Sequence, residues 1–241
     1  MRTERSIAQA AFTLVELLVV SATIGLLALV MATALSNAIE AGRDMRCRSQ
    51  LRQMAFGALL RAELDGGLLP ASYERDVLTG ATRTWEWVLW HLGTEYQVQQ
   101  CPSFRGAAMW DGDKFTGYNY NSSYLGGRIL RRGGVLLAAS LTSARIGDIR
   151  NPSECAMFGD GEYENGANKF MRSPFPGPLD PDASLALGGT QGFRHRGRTN
   201  VAFADGHVES RSNRYTTTAA PGSPAPQCGF LSPDNRLYDL E

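Results

Sequence analysis

The feature that most constrains this chain is an apolar run near its start that carries one acid. Residues 11–20 read Ala-Phe-Thr-Leu-Val-Glu-Leu-Leu-Val-Val, and residues 17–39 are uncharged. As a helix at about 1.5 Å per residue, that run is long enough to span about 30 Å of hydrocarbon. An ionised carboxylate inside a bilayer costs roughly 2.5–3.5 kcal/mol on insertion scales, so Glu16 calls for a partner, and an amine is the natural one. A secretory signal would use Arg2 and Arg5 as its basic start and Ala32-Thr33-Ala34 as its cleavage triplet, but its apolar core has no use for Glu16. Arg43, Arg46, Arg48 and Arg52 on the far side of the run outnumber the two leading arginines, so charge asymmetry does not set orientation.

The helical pattern continues past Ile39. Cys47, Leu51, Met54, Ala55, Ala58, Leu59 and Ala62 recur at three- and four-residue spacing, while Arg43, Arg46, Arg52 and Arg61 take other faces. This predicts an amphipathic stem that stops at Asp65-Gly66-Gly67, where glycine supplies the left-handed residue that ends helices. The expected helix covers 12–65.

A head is expected over 66–210. Residues 84–93 predict a short helix with Thr84 as N-cap and Gly93 at its end, placing Trp85, Val88, Leu89 and Leu92 on one side. Its tryptophans are read as core rather than a stacking platform, and His91 as an ordinary histidine. Residues 118–124 alternate aromatic and polar side chains like a half-buried strand, and 154–158 form a second candidate. Residues 165–192, rich in Gly, Pro and Asp, predict a long irregular loop. Asp205-Gly206 is a preferred two-residue hairpin turn, which sets Phe203 opposite Val208 and Ala202 opposite Glu209. The Pro-rich tail, 211–241, predicts an extended and poorly packed terminus.

Lys plus Arg equals Asp plus Glu at 24 each, so no basic field supports nucleic-acid binding. Cys47, Cys101, Cys155 and Cys228 are widely spaced with no Cys-x-x-Cys pair, which removes the usual zinc and thioredoxin-like signatures. Disulfides in an exported domain and plain buried thiols at Cys47 and Cys155 both remain open. Asp111-Gly112-Asp113 and Asp180-Pro181-Asp182 lack the spacing of a calcium loop. His195, His207, Asp160 and Asp205 suggest acid-base or metal chemistry by type alone, without a Gly-x-Ser-x-Gly or His-Glu-x-x-His motif to frame it. The sequence therefore assigns no catalytic residue, no metal ligand and no cofactor, and the chain reads as a non-enzyme.

The block from Ala11 to Val20 resembles the type IV prepilin and pseudopilin signature. The resemblance implies cleavage between Ala11 and Phe12 by a prepilin peptidase, which also N-methylates the new Phe12 amine, and makes 1–11 a leader. It implies that Glu16 faces the terminal amine of a neighbouring subunit during assembly. Ala11 stands where the family usually has Gly, and Thr33 where many members have a kinking Pro, which implies a straighter helix. A second resemblance rests on His195, nine further residues and then Asp205-Gly206, together with Cys101-Pro102-Ser103, Tyr118-Asn119-Tyr120-Asn121, Asn151-Pro152-Ser153 and Phe158-Gly159-Asp160. These are similar to the H-X9-DG domain found on prepilin-type proteins, and His195, Asp205 and Gly206 read as structural there.

The implied fold is α+β and type IV pilin-like, with a long transmembrane and stem helix under a small, loop-rich antiparallel β-sheet head. The implied role is a structural prepilin-like subunit of a type II secretion or type IV pilus-like filament. Its partners would be the peptidase and methyltransferase, other pilin-like subunits and membrane lipid. It would cross the inner membrane once, with its head in the periplasm or at the cell surface. A membrane-tethered surface-binding module is the first alternative, and an enzyme on a pilin-like anchor the second.

Overall fold

The computed structural model describes residues 13–91, 96–164 and 166–241. Ala11, Phe12 and the end of the expected 84–93 segment lie outside the described residues. The chain divides into two compact units, Met1–Gly42 and Arg43–Glu241, and one helix, α1 (Leu14–Leu64), contributes to both.

In the first unit every residue from 13 to 39 is exposed. Four hydroxyls there bond back to the helix: those of Ser21, Thr23, Thr33 and Ser36 donate to the carbonyls of Leu18, Val20, Val30 and Ala32. Each hydroxyl is thereby satisfied without water, as an apolar surrounding requires. The helix runs unbroken through Thr33, and α1 is long and apolar enough to cross a membrane.

In the second unit α1 buries one stripe: Cys47, Gln50, Leu51, Met54, Ala55, Ala58 and Ala62. Gln50 is the polar member, and its Oε1 accepts the Tyr118 hydroxyl at 2.8 Å. The helix stops as expected, with Gly66 and Gly67 at positive φ and the Gly67 N–H donating to the Ala62 carbonyl at 2.7 Å. The short helix is α2 (Trp85–His91). Trp85 and Leu89 are buried, but Trp87 is 39% exposed under the Arg83 guanidinium, so not every tryptophan there is core.

The strands are β1 (Tyr73–Asp76), β2 (Thr82–Thr84), β3 (Asn119–Asn121), β4 (Arg128–Arg132), β5 (Val135–Leu136), β6 (Ala156–Gly159), β7 (Phe170–Met171), β8 (Gln191–Gly192), β9 (Thr199–Phe203), β10 (Val208–Arg211) and β11 (Cys228–Gly229). They form sheets of order β2-β1-β4-β5, β10-β9-β6-β3-β7 and β11-β8. The head is α+β as expected, but its two larger sheets are mixed, because β1 pairs β4 and β3 pairs β7 in parallel, and only the β11-β8 pair is wholly antiparallel.

The five-stranded sheet is covered on both faces. Met157, Phe158 and Ala202 pack with the α1 stripe, Trp85, Tyr118 and Tyr120. Ala156, Met171, Val201 and Phe203 pack instead with Leu231, Leu237 and Tyr238. A bulge between Ala156 and Phe158 lets the adjacent Met157 and Phe158 join one cluster. The tail beyond Arg211 is thus no loose terminus: Tyr238 is fully buried, and its hydroxyl accepts the Leu231 N–H at 2.8 Å. Expecting half-burial for 118–124 also failed, since β3 is a central strand and all of Asn119–Asn121 is buried. The 165–192 stretch carries β7 and β8 and buries Lys169, Met171 and Gln191.

The hairpin forms at Asp205-Gly206 with a different register. Phe203 and His207 close a three-residue loop: the Phe203 N–H donates to the His207 carbonyl at 3.0 Å and the Gly206 N–H to the Phe203 carbonyl at 2.9 Å. Gly206 sits at φ 89°, as a left-handed residue closing such a loop does. Val208 therefore opposes Ala202 and Glu209 opposes Val201, one residue off the two-residue expectation. Two contacts select the longer loop. The Ala204 N–H donates to the Cys155 carbonyl at 2.9 Å, and Asp205 Oδ1 accepts the His207 N–H at 3.0 Å. The slip puts Phe203 on the tail side of the sheet and leaves Val208 on the helix side.

Candidate functional site

Four buried side chains from distant parts of the chain converge: Cys47, Cys101, Asp160 and His195. Cys47 comes from the buried stripe of α1. Cys101 sits in a loop whose N–H donates to the Thr116 carbonyl at 3.0 Å. That loop closes against Gly117, where an added Cβ would lie 2.7 Å from the Cys101 Cβ. Asp160 follows β6, and its own N–H donates to the Asn200 carbonyl at 3.2 Å, which ties it to β9. His195 opens a two-residue turn with Arg196 and Gly197 at φ 55° and 76°, closed by reciprocal bonds to Arg198.

One ligand atom from each residue lies within 4.8 Å of the others. Cys47 Sγ donates to Asp160 Oδ1 at 3.1 Å, and Cys101 Sγ stands 3.9 Å from that same oxygen. His195 Nε2 is 3.9 Å from Cys101 Sγ and 3.4 Å from Asp160 Oδ2. The Asn200 N–H donates to Asp160 Oδ2 at 2.7 Å and holds the carboxylate in place.

Arg194 and Asp44 form an outer ring. Arg194 Nε points at Cys101 Sγ from 3.4 Å, its Nη2 lies 3.4 Å from Asp160 Oδ1, and its Nη1 pairs Glu162 at 2.9 Å. Asp44 Oδ1 accepts the Asn200 side-chain amide at 2.7 Å and stands 3.7 Å from His195 Nδ1.

These contacts move protons. Burial pushes the Cys47 thiol well up, reinforced by Cys101 and the Asp160 charge. Burial also opposes ionisation of Cys101, but bonding from Cys47, the Arg194 charge and His195 outweigh it and hold this thiol well below its usual range. For His195, burial favours the neutral ring, yet bonding to Asp160 and Cys101 pushes it up to about 10. Burial would raise Asp160, but Arg194 and His195 hold it below the ordinary aspartate value. Cys101 is only 3% exposed, so a substrate does not reach this sulfur without opening the fold. Two sulfurs, a nitrogen and an oxygen at these separations are a donor set for a borderline or soft cation.

Of the residues singled out in the sequence for their chemistry, His195 and Asp160 lie in this cluster, whereas Asp205, Gly206 and His207 sit at the other end of β9 in the hairpin loop. Glu16 is not among the gathered residues. Its carboxylate accepts from the Thr13 N–H at 2.8 Å and the Thr13 hydroxyl at 2.7 Å, while the Glu16 N–H donates back to Thr13 Oγ1 at 3.3 Å. That is a capping box, and its Thr-x-x-Glu spacing was there to be read. Ala11 and Phe12 lie outside the described residues.

Cysteine spacing missed Cys47 and Cys101 because their nearness is made by the fold. A usable sign did exist: Cys101 opens Cys-Pro-Ser, Asp160 closes Phe-Gly-Asp and His195 opens the H-X9-DG pattern. Three separate landmarks of that resemblance meet in one place. No protein-family model, no curated protein and no solved structure matches the chain.

Proposed function

We propose that the chain is a prepilin-like structural subunit, cut between Ala11 and Phe12, methylated on Phe12 and assembled through α1 into a type II secretion or type IV pilus-like filament. The observation that carries this reading is the exposed apolar stretch of α1 with a single acid, Glu16, at its start. Lipid satisfies such a surface before assembly and neighbouring helices satisfy it afterwards. The head then lies on the periplasmic or outer side of the inner membrane, anchored by one span. Capping by Thr13 gives the Glu16 carboxylate local partners in the single chain, and a subunit amine replaces or joins them in the filament.

Intact and peptide mass spectrometry of the membrane fraction tests the processing, with a mature chain beginning at methylated Phe12 as the expected product. A mature chain beginning at Leu35 would point to signal-peptide cleavage and end this reading. Cross-linking of intact cells separates a filament from the alternative of a lone surface-binding tether, since the filament yields a ladder and the tether a monomer.

A further inference from the structure

We propose that Cys47, Cys101, Asp160 and His195 form a structural zinc site that fastens the head to its stem helix. The first argument is geometric. A tetrahedral zinc ion holds sulfur at about 2.3 Å and nitrogen or oxygen at about 2.0–2.2 Å, which separates its donors by roughly 3.3–3.8 Å. The separations here are 3.1 Å and 3.9 Å from Asp160 Oδ1 to the Cys47 and Cys101 sulfurs, 3.4 Å from Asp160 Oδ2 to His195 Nε2, and 3.9 Å from Cys101 Sγ to His195 Nε2, with one ligand atom from each residue within 4.8 Å of the others. Seating one ion asks Asp160 to present a single oxygen, Cys47 to open slightly from it, and the remaining donors, all within 4.8 Å of one another, to draw in by at most about 1 Å.

The second argument is the surroundings. Two thiolates and a carboxylate around a divalent cation leave one negative charge, and Arg194 stands within 3.4 Å of both Cys101 Sγ and Asp160 Oδ1 to balance it. His195 turns Nε2 to the cluster, and Asp44 Oδ1 lies 3.7 Å from Nδ1 on the other side, from where a closure of several tenths of an ångström would make the carboxylate–histidine bond that orients a zinc ligand. Zinc takes cysteine as thiolate and histidine as neutral imidazole, so loading releases their protons.

The third argument is placement. All four donors are protein atoms and all four residues are buried, which leaves no open position for a substrate and marks a closed, structural site. They come from α1, the loop at Cys101, the end of β6 and the turn before β9. One ion thus ties four segments that are far apart in sequence, a constraint comparable to a disulfide across long loops.

The test uses the full chain purified in detergent under reducing conditions. Elemental analysis is expected to find one zinc per chain. Stripping with a chelator should lower the melting temperature, and zinc should restore it. Cobalt loaded in place of zinc should show thiolate-to-cobalt charge-transfer absorption and the intense visible bands of a tetrahedral ion. Cys101→Ser and His195→Gln should lose these bands, Cys155→Ser should keep them, and Asp44→Ala should weaken zinc affinity roughly 10–100-fold. If the ligand variants fail to fold, the wild-type cobalt spectrum decides alone. Folded wild-type chain that takes up no cation, or peptide mapping of chain isolated without reductant that finds Cys47 joined to Cys101 as a disulfide, overturns the proposal.

Discussion

Lys169 Nζ is bonded to the Glu86 carboxylate with both side chains only 1% exposed, and Asp113 Oδ1 stands 2.9 Å from the same nitrogen. The Phe115 carbonyl accepts from it too, and the rings of Trp110 and Phe115 lie within 5.2 and 5.8 Å. Burial pushes the Glu86 carboxyl up, while the lysine opposes that shift. Removing the cation leaves two buried carboxylates without their charge partner, so Lys169→Met should lower unfolding free energy by roughly 3–5 kcal/mol. The exposed Arg61–Asp65 pair is the comparison, and Arg61→Ala should cost about 0.5 kcal/mol or less. Urea denaturation followed by tryptophan fluorescence measures both.

The Glu16 carboxylate caps α1 through Thr13, and the proposed function gives it a second, separable job, pairing with an amine in the filament. Glu16→Gln keeps an acceptor for the Thr13 N–H and removes the charge. Under the proposed function, Glu16→Ala and Glu16→Gln both insert into the membrane, and neither assembles. Normal filaments from the Gln variant, seen by electron microscopy or cross-linking, would reduce Glu16 to a capping residue.

Leu51 and Leu60 share one helix and differ only in what they face: Leu51 is 0% exposed and Leu60 is 55% exposed. Leu51→Ala should cost about 2–5 kcal/mol, because the sheet above it cannot collapse fully into the space. Leu60→Ala should stay within about 0.5 kcal/mol. Equal effects in thermal melts would contradict the buried stripe.

The hairpin loop gives a pH-dependent prediction. Burial would raise Asp205, but bonds from the His207 N–H and ring hold its carboxyl below the ordinary aspartate value. A depressed folded-state pKa contributes stability that is present above the unfolded value of about 3.9 and is lost as pH falls through the folded one. The stability gap between wild type and Asp205→Ala should therefore shrink as pH falls below about 4. Gly206→Ala should cost roughly 1–2 kcal/mol through backbone strain alone, since an added Cβ would meet Phe56 at an ordinary 3.6 Å.

The tail is part of the core, so a chain ending at Ser210 should lose cooperative unfolding. Each buried side chain removed from the Phe203 face is worth about 1.5–3 kcal/mol, and Leu231, Leu237 and Tyr238 go together, against a typical net stability of about 5–15 kcal/mol. Tyr238→Phe is the milder probe. It orphans the buried Leu231 N–H and should cost about 1–3 kcal/mol. Circular dichroism melts distinguish these outcomes from a dispensable tail.

What could be read from the chain alone was what neighbouring residues decide. The spacing from Cys47 to Ala62 marks the buried stripe because one helix turn relates those positions, and Gly66-Gly67 ends the helix because both sit at positive φ. The same holds for a turn at Asp205-Gly206. Its register belonged to the tertiary structure, because the bond from Ala204 to Cys155 ties the loop to the residue just before β6 and accompanies a loop longer by one residue. Pro-rich composition misplaced the tail for a similar reason. The open face of the sheet, with Val201 and Phe203 on it, binds Leu231 and Tyr238 whatever the prolines between imply. The convergence of Cys47, Cys101, Asp160 and His195 is the extreme case, since Cys47 and Asp160 are 113 residues apart. Local propensity sets elements, whereas which donors meet is fixed only when distant elements bury each other's surfaces.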